Sequence, residues 1–482
     1  MKMSLPFSVY AAFLGAFAAI FALNAVSAST ALLSNFYAAT LPEMSKATSI
    51  YLVAEITFMS TIPIWLRFFS PERLLNLAGA GFLLSSLAAF SVVQIDSFVL
   101  VRALQGAFGG LLLPLPYILI KTQVDNEQQK SAITAFTALT ITAPILGPLV
   151  GLSLPVELIS YMFIFIAFIA LPCLFVKSNA LKNTQVSSAP DKLSYPNLAG
   201  FICLCLGFGL IVWALEHFYL WDGLSDKHIR ALVFAGLTFT IAGLIWQSLQ
   251  KQPLFDLRLF KYVESATVLM MSALMGVIVY GLLYLVPYYL ITVHNATPQT
   301  IFKVILFAAV PQIILLPIFI KVRDKFPAYS LISLAFVVLG AMSVVLSSMG
   351  VDFGPDQFLT VQLLRSLGLL LLVLPLSMIM LSAAPAELSS SMGTQYSFFR
   401  TLGGAFSIAG ITAYINTRAN TYRLDNLAYG EPNENLNSLS YVYAFNDAFG
   451  YLSYALFACA ALSGYFYFFH KKSKNSVEIS TS

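Results

Sequence analysis

One glutamate and three arginines, Glu55, Arg102, Arg365 and Arg400, interrupt apolar stretches of this chain. An arginine inside a membrane-length segment costs about 2.5–3.5 kcal/mol on insertion scales unless it meets a partner or water. Such a residue holds a carboxylate, meets an anionic group of a ligand, or bonds backbone carbonyls of a neighbouring helix. Arg102, Gln105, Gly106, Gly109 and Gly110 recur at i, i+3, i+4, i+7 and i+8, which is one helical face. A cation and an amide therefore stand at one end of a glycine seam. In the next apolar segment Thr140, Pro144, Gly147, Pro148 and Gly151 share a side. Glycines let helices approach closely, and prolines interrupt the hydrogen-bond ladder. Pro144, Gly147, Pro148 and Gly151 thus suit a hinge or tight seal between two conformations. Simple close packing needs the same residues.

These residues must be positioned by membrane-spanning helices. The chain has 482 residues, 59% hydrophobic and only 10% charged, and its mean hydropathy is +0.82. Runs of about 20 apolar residues mean transmembrane helices. The runs are continuous rather than alternating, which excludes a β-barrel. We count fourteen spans. With the N-terminus placed in the cytoplasm, 17 of the 26 Lys and Arg fall in inside segments and six outside. That asymmetry supports both the count and an orientation with both termini cytoplasmic. The N-terminal apolar run is read as the first span, not as a cleaved signal peptide. The net charge of +4 says little about nucleic acid, and none is expected as a partner. The four cysteines have no metal or disulfide spacing and read as small apolar fillers.

The expected organisation has two related halves. Arg102-Ala-Leu-Gln-Gly before Pro114-Leu-Pro116 is echoed by Arg365-Ser-Leu-Gly before Pro375-Leu376. Internal repeats of this kind mark transporters whose halves rock around a central site. Residues 1–176 make one six-helix half, 177–196 a cytoplasmic linker, and 197–249 two additional helices. Residues 250–415 with 444–470 make the second half, 416–443 an external loop, and 471–482 a cytoplasmic tail.

Several segments carry a resemblance. Arg102-x-x-Gln105-Gly106 resembles the fourth-helix motif of the major facilitator superfamily. Ala143-Pro144-x-x-Gly147-Pro148-x-x-Gly151 resembles its fifth-helix antiporter motif. With fourteen spans, the chain resembles the drug–proton antiporter branch typified by EmrB and QacA. Pro253-Leu254-Phe255-Asp256-Leu257, Arg400-x-x-Gly403-Gly404 and Tyr51-x-x-Ala54-Glu55 are similar to stretches of that branch. The resemblance implies the all-α major facilitator fold. It implies proton-coupled efflux of a small organic molecule, drug-like or metabolite, across an inner membrane, and so multidrug resistance. It also brings in a periplasmic adaptor protein as a partner beside lipid, substrate and protons. Two departures matter. The Leu-Asp pair of the family's first helix is Leu23-Asn24 here, which cannot titrate. The loop after the second helix lacks the usual aspartate.

Glu55 is then the one carboxylate central to a span. Burial disfavours a charged carboxylate and a nearby arginine favours it, so Glu55 with Arg102 is the candidate for proton coupling. The alternative is a hydrogen bond that locks helices. Candidates for the substrate cavity are Asn24, Gln105, Tyr280, Tyr284, Gln312, Gln362, Arg365, Gln395 and Arg400. Arg365 and Arg400 suit an anionic substrate, or pairing with Glu55 or helix ends. Tyr280, Tyr284 and Tyr288 lie on one ideal helical face, which suits an aromatic ligand or plain packing. The histidines offer no metal site, and no cofactor is expected. No P-loop is present, which argues against an ATP-driven pump. An uncoupled facilitator, or a dedicated exporter of one metabolite such as a siderophore, is the alternative transporter. A polytopic membrane enzyme would need a His, Asp or Ser cluster near a membrane face, which the sequence does not offer.

Overall fold

A computed structural model of the chain describes residues 5–39, 41–177, 195–218, 221, 223–250, 253, 255–428 and 436–481. The expected linker 177–196 lies almost wholly outside the described residues, as do Leu254 and residues 429–435. The described chain is helical. In order its long helices are α1 Phe7–Ala28, α2 Leu41–Ser60, α3 Pro71–Ser91, α4 Ile95–Gln123, α5 Asn126–Ser153 and α6 Val156–Phe175. There follow α7 Tyr195–His217, α8 Lys227–Ser248, α9 Val263–His294, α10 Pro298–Val322 and α11 Ala328–Leu346. The series ends with α12 Pro355–Ser382, α13 Ser391–Asp425 and α14 Leu436–Phe466. Among the described residues, twelve helices are long and apolar enough to cross a membrane. The protein is therefore a multi-pass membrane protein. Outside that twelve stand α2, which opens with Glu43 and Lys46, and α7, whose apolar stretch is Ile202–Leu215. A count of fourteen is compatible with these helices.

The segment expected as an external loop over 416–443 is largely helical. Helix continues through Ala428 and resumes at Leu436. Its polar residues bond to each other across α13 and α14: Arg418 Nη2 donates to Asp447 Oδ2 at 3.0 Å, and Tyr422 OH to the same oxygen at 2.8 Å. The residues after 470, expected as a tail, also continue the last helix to Thr481.

The chain divides into two compact units, Met1–Tyr284 with Met380–Ala413, and Leu285–Ile379 with Tyr414–Ser482. The division passes through α9 and α13 rather than between six-helix blocks. Both helices carry a π-type turn just before it, Val277–Gly281 in α9 and Ser407–Ile411 in α13. Ser407 Oγ donates to Val277 O at 3.2 Å, which satisfies a carbonyl at the irregular turn.

In the first unit the helices pair through small residues, as they must where lipid removes any hydrophobic drive between helices. A Cβ on Gly147 would lie 2.7 Å from Phe21 O, so α5 closes directly on α1. A Cβ on Gly106 would lie 2.9 Å from Tyr51 Cα, and one on Gly110 3.0 Å from Glu55 Cα, so α4 closes on α2. Gly276 of α9 and Gly403 of α13 meet each other's helix in the same way. Ahead of α9, Asp256 is buried and Arg258 clasps it, Nη2 to Oδ2 at 2.7 Å. Phe255 packs on Phe398 and Phe399 of α13. In the second unit Gly340 of α11 packs against Phe457 of α14, and Ser333 Oγ donates to Ala460 O at 2.9 Å.

Candidate functional site

The α2–α4 seam sets the position of the buried charges in the first unit. Gly106 and Gly110 bring the α4 backbone against Tyr51 and Glu55. With the helices that close, the side chains flanking the glycines point along the seam. Arg102 is fully buried and lies over the Tyr51 ring, 4.1 Å from its centroid. A cation–π contact offsets part of the cost of desolvating the guanidinium. Arg102 Nη1 also donates to Gln105 Oε1. Gln105 Nε2 in turn donates to Ser86 Oγ of α3 at 2.7 Å. Tyr51 is itself fixed, its hydroxyl donating to Ala19 O of α1 at 2.9 Å. Four helices thus hold one guanidinium.

Glu55 is 1% exposed, and its Oε1 has no hydrogen-bond partner. The charges of Arg400 on α13 and Arg102 on α4 both act on it. No ion pair within 4.0 Å joins Glu55 to either arginine among the described residues; the ion pairs there involve Asp226, Asp256 and Asp447. Glu55 thus lies within electrostatic reach of two guanidiniums, those of Arg400 and Arg102, without an ion pair to either. Nε and Nη2 of both arginines lack partners. Buried polar groups are normally bonded, so this many open donors and acceptors in one cluster is unusual. The Arg400 carbonyl stands against Gly276 of α9.

Gln395, one turn from Arg400 on α13, donates Nε2 to Asp256 O at 3.1 Å and leaves Oε1 open. Asn24 is buried and turned back on its own helix, Nδ2 to Ile20 O at 2.7 Å. That bond occupies Asn24 in the place where the resemblance looks for an acid. Pro144, Gly147, Pro148 and Gly151 are all buried on the α5 face toward α1, where Gly151 abuts Ser29 and Ala25.

The tyrosines of α9 stand at and beyond its π-type turn. The π-type turn at Val277–Gly281 shifts the register. Tyr280 packs on Gly404 of α13, Tyr284 is half-buried, and Tyr288 donates to Asn416 Oδ1 at 2.6 Å. Tyr280 and Tyr288 thus serve contacts with α13.

The second unit carries its own buried polar group. Arg365 on α12 is 2% exposed, and its Nη1 donates to Gln362 Oε1 at 3.2 Å. Ser366 Oγ donates to Ala308 O of α10 at 2.7 Å, one turn from the buried Gln312. Arg365 bonds the glutamine three residues before it on its own helix, whereas Arg102 bonds the one three residues after it.

Sequence reasoning did not find Tyr51 as the partner of Arg102, nor Ser86 behind Gln105. The Tyr51–Glu55 spacing of one turn was a usable signal, since both side chains face the glycine seam.

Comparison with known proteins agrees with this architecture. The family model for the Major Facilitator Superfamily matches residues 12–408. The chain is 23% identical over 420 residues to the colistin resistance protein EmrB of Acinetobacter baumannii, covering 85% of this chain and 80% of that one. It is 25% identical over 356 residues to the multidrug export protein EmrB of Haemophilus influenzae, covering 72% and 68%. Among solved structures, the human organic anion transporter MFSD10 (TETRAN) matches with a TM-score of 0.59 at 13% identity, over 93% of this chain and 99% of that one. At that identity the likeness speaks to the fold alone.

Proposed function

The chain belongs to the major facilitator superfamily, and on that premise we propose that this secondary transporter exports a small organic molecule in exchange for protons. The observation that carries the coupling is Glu55, the one carboxylate buried within a span among the described residues, placed under the charges of Arg400 and Arg102. With a proton on Glu55 the two guanidiniums lose their shared anion. Without it they are drawn toward it. A proton taken up on one side and released on the other therefore changes what holds α2, α4 and α13 together. Alternating access needs such a difference between states, since a ligand shifts an equilibrium only by its differential affinity. Pro144, Gly147, Pro148 and Gly151 act in this reading as the seal along which α5 moves on α1. The export direction follows from the multidrug and colistin resistance relatives. The membrane is the inner one, with both termini cytoplasmic, as the distribution of Lys and Arg supports. A periplasmic adaptor would meet the outer ends of α13 and α14.

The test is solute-triggered proton movement. Proteoliposomes loaded with a pH-sensitive dye are challenged with a panel of amphipathic organic compounds. Export coupled to protons predicts that a transported compound moves protons in protein-containing vesicles and not in empty ones. A compound that crosses by way of the protein with no proton movement establishes the uncoupled facilitator instead. Asn24 in place of an acid is the observation that keeps that second reading in view.

A further inference from the structure

Three guanidiniums are buried within spans among the described residues, Arg102, Arg365 and Arg400, against one carboxylate, Glu55. Glu55 serves the two in its own unit. Arg365 has no such counterpart. Among the described residues the fully buried carboxylates are Glu55 and Asp256, both in the first unit, and Asp256 is held by Arg258. Among the described residues Arg365 forms no ion pair. Its Nη1 reaches Gln362 Oε1, and its Nε has no partner. Gly368, one turn along α12, is closed by Leu339 of α11, so that side is apolar.

A buried guanidinium without an anion is the arrangement most costly to maintain, because removing one partner of a buried pair leaves an uncompensated charge. Its planar fork of donors matches a carboxylate or similar oxyanion. Gln362 spends its carbonyl on Arg365 and keeps its amide N–H groups for donation.

We propose that Arg365 and Gln362 form a subsite for the oxyanion of an organic acid, so that the transported molecule is an amphipathic anion. The physiological meaning rests on the transporter reading above; the binding event does not, and is tested without a gradient.

The probe is 2-naphthoate, with the neutral 2-naphthylmethanol as its uncharged match, measured by equilibrium dialysis on the full chain in detergent. The subsite predicts that wild type binds naphthoate about tenfold or more tightly than the carbinol, the scale of a charge-assisted bidentate contact. Arg365→Gln should remove that preference, and Arg365→Lys should keep part of it because the charge remains. Equal binding of the two probes by wild type overturns the proposal. So does a monodisperse Arg365→Gln protein that keeps the preference, which would move the anion to Arg400 or Arg102. If Arg365→Gln does not fold, the wild-type and Arg365→Lys comparisons still decide. Naphthoate binding that survives while proton movement is absent would contradict proton coupling and leave the subsite standing.

Discussion

Glu55→Gln is expected to abolish proton-driven transport while sparing exchange. Glutamine keeps the size and hydrogen bonding of the side chain but cannot carry a proton. It presents Arg400 and Arg102 with a permanently neutral group, as the protonated carboxyl does. Solute-triggered proton flux should fall by at least about 100-fold, the scale on which a positioned proton-transferring side chain acts. Solute exchange at equal pH on both sides should persist, because it needs the conformational change but no net proton movement. Loss of both activities would mark Glu55 as a structural lock, and retention of both would remove it from the mechanism.

Gly110→Ala is expected to destabilise the protein. The added methyl would stand 3.0 Å from Glu55 Cα and closer still to the carbonyl oxygen. Backbone cannot swing aside as a side chain does, so α4 must move off α2. Overpacking of this kind costs about 1–3 kcal/mol or more, read as a lower thermal midpoint in detergent. Gly393→Ala on α13 is the control, since its Cβ would meet Tyr117 Cβ at an ordinary 3.4 Å. Alanine suits a helix better than glycine, so Gly393→Ala should be neutral or stabilising by roughly 0.5–1 kcal/mol. Equal midpoints for the two variants would contradict the glycine seam as the element that sets the site.

The glycine seam was legible because its spacing is a property of one helix. Arg102, Gln105, Gly106 and Gly110 had to share a face, and whatever packed there had to come close. Which helix packed there was not legible, since spacing along α4 says nothing about α2. Tyr51 was therefore missed as the ring beneath Arg102. The backbone of α9 was not legible for a related reason. Ideal spacing assumes an unbroken helix, and the π-type turn at Val277–Gly281 breaks it. No residue in that turn announces it, and the Ser407 Oγ of α13 that bonds Val277 O lies 130 residues away in sequence. Segment 416–443 read as a loop because it is polar, yet polar helix outside the hydrocarbon needs no apolar face. Asn24 was legible as a departure, and its back-bond to Ile20 O shows what the amide does in that place.

The division into two units raises a further point about the paired π-type turns. Both lie in the first unit, a few residues before the chain passes into the second. Turns of this kind weaken the regular ladder and often stand at functional sites. Gly276, which directly precedes the turn in α9, is met by the Arg400 carbonyl of α13.

The most direct measurement is the protonation of Glu55 itself, which needs no knowledge of the substrate. Infrared difference spectra across a pH step, taken on the purified wild-type protein and on Glu55→Gln, isolate the carboxyl band of this one residue. Proton coupling through Glu55 predicts a carboxylic acid band in wild type that converts to carboxylate across the step and is missing from the variant. Wild-type and variant spectra that change identically would show that Glu55 exchanges no proton, and would contradict its role as the coupling group.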